Sequence, residues 1–68
     1  MKKFRIYASN DSLIILINMF IKDAMGFEFV PSRSSGSSCI IISVDTDIEN
    51  VKSIVRDEIG NDDFSVFE

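Results

Sequence analysis

Residues 3–25 read KFRIYASNDSLIILINMFIKDAM, and the change of period inside this stretch decides the fold. From Lys3 to Ser9 the pattern alternates: Phe4, Ile6 and Ala8 point one way and Lys3, Arg5 and Tyr7 the other, as a half-buried strand requires. Ser9, Asn10, Asp11 and Ser12 then supply side-chain oxygens able to cap a helix, and the apolar segment Leu13 to Met25 follows. Gly26 is expected to end that helix in the left-handed conformation that only glycine adopts without strain.

Working outward, Phe27 and Phe29 begin a second strand that Pro31 confines to a sheet edge, because proline cannot donate to a ladder. A polar loop, Ser32 to Ser38, leads to Cys39–Val44, a nearly unbroken β-branched run of the kind found in central strands. Its lack of polar alternation points to a cover on the sheet's second face as well. Thr46 and Glu49 stand at the spacing of a capping box, and Ile48, Val51, Val55 and Ile59 follow at helical spacing until Gly60. Asn61, Asp62 and Asp63 make a turn before a last short strand with Phe64, Val66 and Phe67.

The order is βαββαβ, the split-βαβ or ferredoxin-like plan. The expected architecture is α+β, one domain over residues 1–68, with two helices on one face of a four-stranded antiparallel sheet. Phe4, Ile6, Leu16, Ile17, Phe20, Phe29, Ile42, Val51 and Val55 are its expected core. Such a plan serves many functions and names none of them.

Composition sets further bounds. Hydrophobic residues make up 46% of the 68-residue chain beside 26% charged ones, which excludes intrinsic disorder as the default state. A chain this short buries only about 60% of the surface it exposes when unfolded, so its stability is thin unless a staple or a partner adds to it. Cys39 is the sole cysteine and histidine is absent, which excludes an intramolecular disulfide and a Cys/His zinc set and makes a reduced, cytoplasmic setting the simpler reading. The run Leu13 to Ile21, apolar except for Asn18, falls short of the ~20 residues a membrane span needs. Asn10, Asp11 and Ser12 interrupt any signal-peptide core after the basic start Lys2, Lys3, Arg5. The excess of isoleucine over leucine, which occurs only at Leu13 and Leu16, is a bias of AT-rich genomes such as that of a low-GC bacterium or a phage.

Catalysis finds little support in these residues, and no cofactor is implied. The commonest general base is missing, and Cys39 lies in an apolar strand with no base in its local sequence, as a structural cysteine does. Asp45, Asp47 and Glu49 cluster at the start of the second helix, where the macrodipole favours acids, and they lack the glycine and terminal glutamate of a calcium loop. The loop Arg33, Ser34, Ser35, Gly36, Ser37 and Ser38 is the best candidate ligand contact: backbone N–H groups and hydroxyls can converge there beside a cation suited to phosphate or carboxylate. The alternative for that loop is a bare hairpin connection. Residues 6–10 resemble the first short signature of RNA-recognition motifs, but Cys39–Val44 holds no aromatic or basic residue where the second would stand. A net charge of −4 and a pI near 4.6 further argue against nucleic acid as a partner.

The stretch Tyr7-Ala8-Ser9-Asn10-Asp11-Ser12-Leu13-Ile14, in its strand-turn-helix setting, resembles the start of ACT domains, small βαββαβ regulatory modules that associate and often bind amino acids at subunit interfaces. Ser12 stands where that family usually places glycine, and Asp11 where proline is common, so no ligand residues carry over. The first helix is also more apolar than a lone surface helix. With Leu13, Leu16, Ile17, Phe20 and Ala24 as the core stripe, Ile14, Ile15, Ile21 and Met25 fall toward the flanks or the exposed side around Asn18 and Lys22, where either a partner covers them or a wide helix–sheet contact buries most of them within the monomer. The expectation is a small non-enzymatic binding protein, regulatory or inhibitory, which self-associates or docks on a larger protein target and has the character of a phage or mobile-element effector. The competing class is a sensor or sequestering protein for a small nucleotide-like anion held by the Arg33 to Ser38 loop.

Overall fold

The computed structural model describes residues 1–31 and 38–68. Four strands, β1 (Lys2–Ala8), β2 (Phe27–Val30), β3 (Cys39–Val44) and β4 (Phe64–Phe67), alternate with two helices, α1 (Asn10–Lys22) and α2 (Ile48–Ile59), in the order βαββαβ. All pairings are antiparallel and the sheet runs β2-β3-β1-β4, which puts the apolar β3 and β1 in the centre and the short β2 and β4 at the edges.

The register sorts side chains onto two faces. Phe4 opposes Ile42, and Ile6 lies between Ile40 and Val66, so one face collects the apolar residues of three strands. Both helices cover that face: Leu13, Leu16 and Phe20 from α1 and Val51 and Val55 from α2 join Phe4, Ile6, Ile40, Ile42 and Val66 in a single buried cluster. The opposite face carries Lys3, Arg5 and Tyr7 of β1 beside Ile41 and Ser43 of β3 and Ser65 and Phe67 of β4. Neither helix covers it. Among the described residues, the cover expected over the second face of β3 is therefore absent, and Ile41 remains half-buried.

Two core expectations need correction. Phe29 points to the helix side by parity but is 46% exposed, because α1 crosses the edge strand at Phe27, where the Phe20 and Phe27 rings meet with centroids 5.9 Å apart. Ile17 packs against the core only in part.

The helix ends differ from the sequence reading by a few residues. Ser9 is the N-cap of α1 and accepts from the Ser12 N–H at 3.3 Å, so the helix starts before Leu13. It also stops early. The Met25 N–H bonds the Phe20 carbonyl at 2.8 Å and the Ala24 N–H bonds that of Ile21 at 3.1 Å, the paired bonds of a Schellman ending. The left-handed residue of this motif is Ala24, with φ 55°, and not Gly26. In α2 the cap is Asp47, whose carboxylate accepts from the Asn50 N–H at 2.8 Å, one residue beyond the expected Thr46. Thr46 instead accepts from the Asn50 side chain, and Glu49 pairs with Lys52. Gly60, at φ 79°, ends α2 as its sequence position implies.

Candidate functional site

At 100° per residue, Ile14 and Ile21 lie within about 20° of each other around α1, on the flank away from α2. They are 57% and 64% exposed. Across from Ile14 stands Phe29 at the rim of the sheet, and together Asn10, Leu13, Ile14, Ile17, Phe29 and Ser38 line a groove of about 390 Å³. An apolar strip thus runs from α1 onto the edge strand.

Ile15 is exposed on the other flank of α1, on the side of Met19 and α2. There a smaller apolar cavity of about 140 Å³ opens between the helices, lined by Met19, Phe20, Met25, Ile42, Val51 and Ile54 among others. Its size is close to the ~150 Å³ of a dry apolar cavity that accepts a benzene-sized guest. Met25 is only half-exposed and packs against the core at this cavity, while Asn18 and Lys22 are exposed between the two flanks of α1. The six residues singled out on the first helix therefore do not share one stripe: Ile14 and Ile21 face β2, Ile15 and Met25 lie toward α2, and Asn18 and Lys22 separate them.

The bare sheet face holds a second cluster. The Phe67 ring meets Tyr7 edge to face at 5.7 Å, and the Arg5 guanidinium lies over the same ring, 6.0 Å from its centroid. Phe67 is 49% exposed. Lys2 pairs with Glu68, whereas no carboxylate pairs with Lys3 or Arg5 among the described residues. Phe67 and Ile54 were not singled out by sequence. The signal for Phe67 was its neighbour: of two successive apolar residues in a strand, Val66 and Phe67, only one can face the core. Ile54 could have been found because it precedes Val55 by one residue, which turns it about 100° around the helix to the edge of the stripe that Val51 and Val55 define.

Arg33, Ser34, Ser35, Gly36 and Ser37 of the candidate anion loop lie outside the described residues, and Ser38 lines the groove beside Phe29. Cys39 is buried, with Tyr7 and Val30 as its cross-strand neighbours. Asp47 is engaged in capping, and no group of three metal-ligating side chains occurs among the described residues. The Arg56 guanidinium is held above its ordinary pKa by its hydrogen bond to Asp62 and by that carboxylate's charge. It closes the α2–β4 turn, with Asp62 as its partner. Among the described residues no helix is long and apolar enough to cross a membrane. Compared with known proteins, the chain matches no family model, no curated protein and no solved structure.

Proposed function

We propose that this chain is a non-enzymatic binding protein, regulatory or inhibitory in role, which acts through protein–protein contacts made by its helix layer, in self-association or on a larger protein target. One observation carries the reading: the apolar strip of Ile14, Ile21 and Phe29, exposed in a chain with little core to spare. Burying an isoleucine side chain is worth about 1.5–3 kcal/mol, comparable to the whole margin of a domain this small. Leaving several exposed on one helix sacrifices that stabilisation unless another surface recovers it, and contiguous apolar patches mark interaction sites. The resemblance of residues 7–14 to ACT domains supports the same class of role, since those modules regulate by associating.

Native mass spectrometry of protein purified from its own host reads subunit number and retained protein together. The expected result is a mass above one chain that returns to one chain in the Ile14→Ser, Ile21→Ser double variant, with an unchanged circular dichroism spectrum. A single-chain mass at every concentration, with no protein retained, overturns the proposal.

A further inference from the structure

The two broad surfaces of this molecule are complementary to each other. On the helix side, exposed Ile14, Ile15, Ile21 and Ile54 share the surface of the two helices with the carboxylates of Asp11, Glu49, Asp57 and Glu58. Lys52 and Arg56 are already paired, with Glu49 and Asp62, so the exposed Asp11, Asp57 and Glu58 face only Lys22 as an unpaired cation of the two helices. On the sheet side, Arg5 lies between Ile41 and Phe67, with Tyr7 against the Phe67 ring and Lys3 two residues along β1, and among the described residues Glu28 is the one carboxylate on this face. One surface is apolar and acidic; the other is apolar and basic.

We infer that a second copy of this chain docks its helix layer on the bare face of the sheet, so that copies stack head to tail in alternating sheet and helix layers. This rests on the reading of the helix layer as a contact surface and adds its occupant. It accounts for β3, whose near lack of polar alternation makes sense in a strand covered on both faces, although in the single chain helices cover only one. The contact is heterologous, since different patches meet, and such a contact continues from copy to copy unless rotation closes a ring. With extents of 30 × 23 × 22 Å, the chain offers a face of roughly 700 Å² at most, near the lower end for specific interfaces, so the stack is weak and grows with concentration. Opposite charge fixes which face meets which and makes the stack sensitive to salt.

Mixing two broken copies tests this. The helix-broken chain is Ile14→Ser, Ile21→Ser; the sheet-broken chain is Lys3→Glu, Arg5→Glu, with Phe67→Ser as a second sheet variant should the charge reversal disturb the fold. Circular dichroism establishes that each is folded. Wild type is expected to give a ladder of masses that lengthens with concentration, each variant alone a single chain, and the equimolar mixture a pair of chains and nothing larger, because each partner has one intact face. A sheet-broken chain that associates like wild type overturns the stack while leaving the proposed function standing. A mixture that stays single overturns it as well, as does a wild type that is single but retains a different protein. A wild type that is single and retains nothing removes both readings. A labelled single-stranded oligonucleotide that binds wild type but not the sheet-broken chain would assign the face to nucleic acid and overturn the stack; with Lys3 and Arg5 set against Glu28 and a net charge of −4, few counterions are available for such binding to release.

Discussion

The helices α1 and α2 lie side by side on one sheet face, yet they treat solvent differently. In α2, Glu49, Asn50, Ser53 and Asp57 occupy the outward side, Val51 and Val55 the inward side, and Ile54 alone is an exposed apolar residue. In α1 the inward residues Leu13, Leu16 and Phe20 are matched by outward Ile14, Ile15 and Ile21, interrupted by Asp11, Asn18 and Lys22. Folding of the single chain explains α2 apart from Ile54 but only half of α1. The other half asks for a contact, and that asymmetry separates residues that hold the fold from residues left to do something else.

The comparison breaks most visibly in the core. Phe20→Ala removes the α1 side chain that packs on Phe27 and should cost about 3–5 kcal/mol, as much as a domain of this size has to lose. The expected outcome is loss of the cooperative urea transition followed by circular dichroism. If the variant stays folded with a midpoint near that of wild type, the inner face of α1 is not the anchor assigned to it. The next effect falls on the outer faces. Ile14→Ser with Ile21→Ser should abolish association yet change the unfolding free energy of the single chain by no more than about 0.5 kcal/mol. Ser53→Ala, at an outward position of α2, should change neither quantity. Equal behaviour of the two outer faces in light scattering would erase the difference between the helices.

Most of the fold was legible because each local signal agreed with the global plan. The alternation of Lys3 to Ser9, the β-branched run Cys39 to Val44 and the α2 stripe of Val51 and Val55 all read directly. What escaped depends on where elements sit relative to one another. Phe29 has the parity of a core residue and is exposed because α1 crosses β2 at Phe27, an offset no residue of β2 records. For the same reason the exposure of Ile14 and Ile21 was readable from helical spacing, whereas the proximity of Ile14 to Phe29 was not. The aromatic cluster of Tyr7 and Phe67 joins residues 60 positions apart, brought together only by the β1–β4 register.

The helix starts differ as well. At the start of α2 the Asp47 carboxylate accepts from the Asn50 N–H at 2.8 Å, while at the start of α1 the Ser9 hydroxyl accepts from the Ser12 N–H at 3.3 Å. Asp47→Ala should therefore destabilise by about 1 kcal/mol, and Ser9→Ala by less. Urea midpoints of the two variants decide the order. A Thr46→Ala loss larger than that of Asp47→Ala would restore Thr46 as the cap.

The smallest expected effect concerns the helix ends. Gly60 ends α2 at φ 79° without strain, whereas Ala24 ends α1 at φ 55° with a Cβ that the left-handed region disfavours. Alanine stays there because the flanking bonds are fixed: Met25 is drawn against the core and its N–H reaches the Phe20 carbonyl, which leaves Ala24 no other conformation. Ala24→Gly relieves roughly 1–2 kcal/mol of steric strain and gives back about 0.4–1 kcal/mol through the greater freedom of the unfolded chain, for a net gain near 0.5–1 kcal/mol. The reverse exchange, Gly60→Ala, should lose a similar amount. Gly26→Ala should do neither, because Gly26 does not have positive φ and a Cβ there meets nothing within 4 Å. If thermal unfolding instead shows Gly26→Ala to be the costly change and Ala24→Gly to be neutral, the helix ends where its sequence first suggested, and the Schellman ending at Ala24 is wrong.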